Sequence, residues 1–316
     1  MSRITGLLRA REAALLLFTL ALALALAVAR PGFASQANVN AMLIGMAPDG
    51  VLAVGMTLLI VAGMFDLSVG SVLALSAVAA GLAMNHHAPV WLAIGAGLAT
   101  GAACGAINGL IVTRLAVNAL IATLGMMTLA RSLTQVLTDG RSLSSFPSSF
   151  TAIGQGYTLN VSNSVLVMLL VMAAGDLLLR HHASLRRFYY VGSSERAAEL
   201  AGVPVARVKM AGFVATGLLA AVAGILVASR LNAATPTAGV GAELRVISAT
   251  VIGGAALSGG EGTILGAALG VLLLAIVSNA LTQLNVSIYW QGAVNGIILI
   301  LAVALDAYVR RRKRDA

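Results

Sequence analysis

The sequence predicts an all-α polytopic membrane protein, with about ten transmembrane helices in one permease-like domain over residues 1–316. Three observations carry this. Apolar residues make up 59% of the chain, and the 34 glycines raise that to about seven in ten, against roughly 45–50% in soluble domains counted the same way. Charged residues are only 10%, where about 25% is usual. The apolar residues also come in long unbroken runs, not in the alternation a transmembrane barrel needs. A soluble globule has no way to hide that much apolar surface, and the mean hydropathy of +0.96 agrees. Soluble enzymes, disordered regulators and disulfide-stapled secreted domains are therefore excluded. The single cysteine, Cys104, sits in an apolar segment and reads as packing.

In chain order, the expected spans are 13–29, 42–63, 69–84, 90–112, 117–138, 164–179, 208–229, 244–257, 263–284 and 288–308. Most approach the ~20 residues a bilayer requires, but the third and eighth are short. The first follows Arg3, Arg9 and Arg11 and ends in Ala27-Val-Ala29, a cleavage-like pattern. Its length favours reading it as a retained span, and the remaining topology is the same either way. With both termini inside, 15 of the 20 basic residues fall on the inner side, as the positive-inside rule demands. The net charge of +9 is thus a topology signal and not a sign of nucleic-acid binding. The run Arg310–Arg314 reads as an anchor at anionic lipid headgroups.

Two glycine rows stand out: Gly97, Gly101, Gly105 and Gly109, then Gly262, Gly266 and Gly270. Steps of four place each row on one helix face, where small residues let membrane helices approach closely. Helix packing within the chain is the plainer use, and a subunit interface is the alternative. Each row follows a short span that opens alike, with Asp66-Leu-Ser68-Val-Gly-Ser before the first and Glu243-Leu-Arg-Val-Ile-Ser before the second. The helix of the first row ends in Asn108-Gly-Leu and that of the second in Asn279-Ala-Leu. On the topology above the two units run in opposite directions, which predicts an inverted internal repeat of the kind many transporters use. Asp66 lies among Met64, Phe65 and Leu67. A carboxylate there marks either a functional site or the cap of a broken helix, and both readings stay open. Asp49, Arg131 and Asp176 are the other main charges within spans, and Asp49 follows Pro48 at an expected kink.

Chemistry is otherwise sparse. No G-x-x-x-x-G-K-[ST], H-E-x-x-H or G-x-S-x-G occurs, so neither a phosphate loop, a zinc protease motif nor a nucleophile elbow is expected. The pairs His86-His87 and His181-His182 read as interfacial, and no metal site or catalytic residue is expected. The inner loop 180–207 is the most informative segment. Its stretch Gly192, Ser193, Ser194, Glu195, Arg196, Ala197, Ala198, Glu199, Leu200, Ala201, Gly202 precedes Val203 and Pro204. A serine cap, an acid in the first turn and a Gly/Pro stop predict a helix over 195–201. Two turns are too short to stand alone, so this helix should lie in a groove and suits docking to a separate cytoplasmic protein.

Here the sequence resembles the permease subunits of bacterial ATP-binding-cassette importers of the ribose, xylose, arabinose, galactose and autoinducer-2 type. The resemblance rests on 63–71 (GMFDLSVGS), 118–125 (NALIATLG), the loop 191–202, 239–244 (GVGAEL), 251–262 (VIGGAALSGGEG) with Thr263, and Trp290-Gln291. These cover most of residues 40–306 in order. Two departures are Gly192-Ser-Ser194, where Gly-Gly-Asn is frequent, and Ala119, where Pro often follows the Asn. The resemblance implies a multi-pass inner-membrane subunit that imports a monosaccharide or sugar-like solute. It also implies a second permease copy or paralogue, a cytoplasmic ATPase that uses ATP and Mg, and a periplasmic or surface substrate-binding protein. No cofactor is expected on this chain. The loop from Gly192 to Gly202 would be the coupling helix. Asp66, Ser68, Asn118, Thr123, Glu243 and Gln291 are the candidates for helix breaks and the translocation path. Permeases for branched-chain amino acids or nucleosides are the alternative, and a stand-alone channel or facilitator is a further one.

Overall fold

A computed structural model describes residues 2–314, with side chains described for 12–287, 290–301, 303 and 304. The side chains of the terminal arginines therefore lie outside the described residues. The helices are α1 (Ser2–Ala29), α2 (Gln36–Val61), α3 (Val69–Asn85), α4 (Val90–Arg114), α5 (Ala119–Thr138), α6 (Ser148–Gln155), α7 (Asn163–His181), α8 (Ala183–Ser193), α9 (Glu195–Leu200), α10 (Val205–Leu231), α11 (Ala242–Ile252), α12 (Ile264–Gln283) and α13 (Ile288–Arg314). Among the described residues, sheet is limited to two-residue pairings: Leu143–Ser144 with Ala233–Ala234, and Tyr157–Thr158 with Val161–Ser162. The fold is all-α, as expected.

Each expected span has a helix. Among the described residues, seven helices are long and apolar enough to cross a membrane, and α3 and Trp290–Leu301 of α13 are shorter apolar helices. The eighth span is shorter than expected. α11 has 11 residues, about 16 Å at 1.5 Å per residue. The helix stops because residues 253–262 carry Gly254, Gly259, Gly260 and Gly262 at positive φ, where side chains are strained but glycine is not. The short helices α6, α8 and α9 lie between the spans.

At the centre of the bundle, α2 packs on α10. Every residue of α2 from Val51 to Val61 is buried, as expected of a helix apolar on all faces. The glycine rows are used within the chain. A Cβ on Gly101 would stand 2.3 Å from the Gly217 carbonyl oxygen, and one on Gly105 2.3 Å from that of Phe213. The first row thus seats α4 on α10. In the second row, a Cβ on Gly266 would stand 2.1 Å from Gly253 O and one on Gly270 1.9 Å from Ala249 O, so α12 sits on α11. The packing pattern repeats. α3 touches α4, α5 and α10, while α11 touches α12, α13 and α2. The series α2–α5 therefore has its counterpart in α10–α13.

Candidate functional site

The loop between α7 and α10 forms two helices. Ser194 is extended (φ −164°), and its Oγ accepts from Ala197 N at 3.3 Å, capping α9. Gly202 (φ +78°) turns the chain out, and Val203 N donates back to Ala198 O at 2.9 Å. Ala198 is buried while Leu200 is 77% exposed, so α9 lies on the bundle by one face and presents the other. Lys209 Nζ pairs with Glu195 Oε1 at 2.7 Å, and Arg196 with Glu199 at 3.5 Å. An exposed pair such as Arg196–Glu199 contributes about 0–1 kcal/mol, whereas the Lys209 side chain is largely buried. The sequence reading placed Gly192 and Ser193 in the same helix as Glu195–Ala201. They form the last turn of α8 instead, because the extended Ser194 interrupts the helix, and α9 ends at Leu200 with Ala201 as its C-cap.

Gly192 joins this loop to the membrane helices. A Cβ there would lie 1.8 Å from Val61 O, the end of α2, and 2.7 Å from Gly260 N. Gly260 N itself donates to Val61 O at 2.8 Å. Gly259 lies against Gly192 and Gly63, with its own Cβ position 2.8 and 2.9 Å from their Cα atoms. Tyr189 Oη donates to Gly262 O at 2.7 Å. Burial pushes the Tyr189 hydroxyl up to about 12, with the acids Asp176 and Glu12 adding to it and Arg180 opposing. The α8–α9 loop, the end of α2 and the α11–α12 connection thus meet backbone to backbone.

From this crossing the chain runs through Gly63–Ser68 before α3 begins. Asp66 is 2% exposed, and Ser68 and Asn108 are fully buried. Asp66 Oδ1 accepts from Ser68 N at 2.7 Å and Ser68 Oγ at 2.6 Å. Asn108 Nδ2 donates to Asp66 Oδ2 at 3.3 Å and Ser68 Oγ at 3.0 Å. Asp66 therefore closes a turn on Ser68, the N-cap residue, and ties the break to α4. The second break differs. Gly239, at φ +70°, approaches the first turn of α3, where a Cβ on Gly70 would stand 2.2 Å from Gly239 O and 2.6 Å from Glu243 Oε2. Arg131 on α5 holds that segment by donating to Pro236 O and Ala238 O at 2.6 and 2.8 Å. Asn279 does not mirror Asn108, since it exchanges hydrogen bonds with Asn38 at 2.9 Å each way.

Two cavities accompany the breaks. The first, about 500 Å³, is lined by Met64, Phe65, Thr113, Asn118, Glu195, Glu199 and Lys209, among others. The second, about 560 Å³, lies between α2, α11, α12 and α13 and includes Gln291. Asn118 caps α5, accepting from Leu120 N at 2.9 Å. Thr123 is buried and bonds back to Ala119 O at 2.9 Å. Asp66, Ser68 and Glu243 gather at the breaks, whereas Asn118 and Gln291 fall in separate cavities. Sequence reasoning missed the partner of Asp49: Arg245 grips it by two nitrogens at 2.9 and 3.2 Å. The available signal was two opposite charges within expected spans, although 196 positions separate them. Among the described residues, no three His, Cys, Asp or Glu side chains gather as a metal site.

Broken helices meeting inside an apolar bundle, with a capped helix seated on its end, define a polytopic membrane permease. The family described as branched-chain amino acid transport system / permease component matches residues 38–303, and the chain belongs to that family. Several curated proteins are similar over most of their length. The ribose import permease protein RbsC of Bacillus subtilis is 41% identical over 298 residues, 93% of this chain and 91% of its own. RbsC of Haemophilus influenzae is 38% identical over 287 residues, covering 90% and 89%. The L-arabinose transport system permease protein AraH of Escherichia coli is 37% identical over 291 residues, covering 92% and 89%. No solved structure matches the chain.

Proposed function

We propose that this protein is the membrane-spanning subunit of an ATP-binding-cassette importer that carries a monosaccharide or sugar-like solute across the inner membrane. The observation that carries this reading is the near full-length likeness, at 37–41% identity, to ribose and arabinose permeases. The chain works with a separate ATPase that binds ATP and Mg, a substrate-binding protein on the opposite face, and a second permease copy or paralogue. Both termini and the α8–α9 loop lie inside, in keeping with the distribution of basic residues. α9 and the exposed Leu200 receive the ATPase. Motion there reaches the end of α2, the first helix break and the α11–α12 connection through the Gly192 crossing, shifting the populations of inward- and outward-open states.

The test is uptake of labelled ribose, arabinose, leucine and a nucleoside into proteoliposomes holding permease, ATPase and binding protein. ATP-dependent monosaccharide uptake is expected. Uptake by the permease alone, without ATPase or ATP, would refute the importer reading in favour of a facilitator. Transport of leucine or the nucleoside only would refute the sugar assignment.

A further inference from the structure

The two cavities are counterparts under the internal repeat. The first is built from the segment leading into α3, the end of α4, the start of α5 and the start of α10. The second is built from the start of α11, the end of α12, the start of α13 and the start of α2. These are the matching ends of the matching helices. They lie at different ends of the bundle. The first is lined by α9. The second includes Ala41 and Asp49, which lie 20 and 12 residues before Val61 and its crossing with Gly192, about 30 and 18 Å along α2.

We propose that the cavity between α2, α11, α12 and α13 is a binding subsite for a monosaccharide, an inference that rests on the functional reading above. Its lining holds the Asp49–Arg245 pair with Ser278, Thr282, Gln291 and Asn295. Charged and amide groups inside apolar spans face cavities and mark substrate pathways. The bidentate grip of Arg245 fixes Asp49 and cancels its charge, which suits a neutral ligand over an ion. A carboxylate, hydroxyls and amides together both accept from and donate to ring hydroxyls. Met46 and Leu274 offer apolar surface for the C–H faces of a sugar ring. The volume of about 560 Å³ falls within the roughly 300–1,000 Å³ of small-molecule sites. The counterpart cavity is instead lined by Glu195, Glu199 and Lys209 beside α9, so the repeat has given one cavity to the loop and left the other to solute.

The test uses the complete transporter with its ATPase and binding protein in proteoliposomes, with ribose and arabinose as probes. Gly45→Cys, which lines the cavity with nothing within 4 Å of its Cβ position, is expected to import at the wild-type rate until treated with a bulky methanethiosulfonate, which should then cut uptake at least about tenfold by filling the cavity. Saturating sugar should slow the modification. The wild type, whose one cysteine is buried, should keep its activity under the same treatment. Gln291→Leu, assembled normally, should lower the maximal uptake rate while sugar binding to the isolated binding protein stays unchanged. Unimpaired uptake by the modified variant, or a modification rate indifferent to sugar, overturns the subsite alone. Failure of the wild type to import any monosaccharide overturns the functional reading and the subsite with it.

Discussion

Gly192→Ala sets two physical effects against each other. Gly192 sits in the last turn of α8, and alanine is a better helix residue than glycine by roughly 0.5–1 kcal/mol. Propensity alone therefore predicts stabilisation. The crossing predicts the reverse. The new Cβ would stand 1.8 Å from Val61 O, and real contacts do not fall below 3.0 Å, so the backbones must part by about 1.2 Å. Overpacking of this kind costs about 1–3 kcal/mol. The 2.8 Å bond from Gly260 N to Val61 O would also be strained, and its loss is worth about 0.5–1.5 kcal/mol. The net expectation is a loss of about 1–3 kcal/mol, with ATP-driven uptake falling further than stability because the displaced element is the mechanical link. The assays are thermal unfolding of the purified permease and uptake by the complete transporter. Gly125→Ala is the control: it lies inside α5 with nothing within 4 Å of its Cβ position, and it should gain up to about 1 kcal/mol. A Gly192→Ala protein as stable as wild type and fully active would refute the reasoning.

Other perturbations test the same architecture. Ser194→Ala removes the α9 cap and should cost about 1 kcal/mol, measured as faster hydrogen exchange at 195–200 and weaker ATPase association. Asp66→Ala strands Ser68 N and the Ser68 hydroxyl in a buried setting at about 1–3 kcal/mol each, while Asn108 Nδ2 keeps Ser68 Oγ; this is read as a lower unfolding temperature, whereas Asp66→Asn keeps an acceptor and should largely retain transport. Full loss of transport in a well-assembled Asp66→Asn protein would make the charge functional and not structural. Tyr189 is held up to about 12 by burial, above the ordinary value of about 10. A raised folded value favours the neutral form, so its stabilising contribution is complete below pH 10 and is lost as pH rises from 10 to 12, by up to about 3 kcal/mol. Tyr189→Phe should be less stable than wild type at neutral pH and show a shallower alkaline decline.

Much of the fold was legible because the bilayer imposes a length and a composition on each span. The runs at 42–63 and 90–112 announce helices whatever they pack on, and the cap, first-turn acid and glycine stop around Glu195 announce α9. These signals are local, and local signals survive in a one-dimensional string. The glycine rows were visible as rows, but their partners were not. That Gly101 takes Gly217, and Gly266 takes Gly253, is a matter of which helix backbones cross. The eighth span was read too long because apolar Ala255 and Ala256 look helical, whereas the glycines that follow turn the chain away.

By itself, the sequence determined a polytopic helical membrane protein, two short acid-led helices, two glycine rows and a capped helix in a basic loop. Each follows from hydropathy, periodicity or backbone propensity within some twenty residues. Only the tertiary structure decided that Gly192 abuts Val61, that Asn108 serves Asp66 while Asn279 pairs with Asn38, and that Arg245 neutralises Asp49. Those contacts join residues tens to hundreds of positions apart. They depend on how close two backbones come and which buried polar atoms then find partners, and no local pattern carries that information.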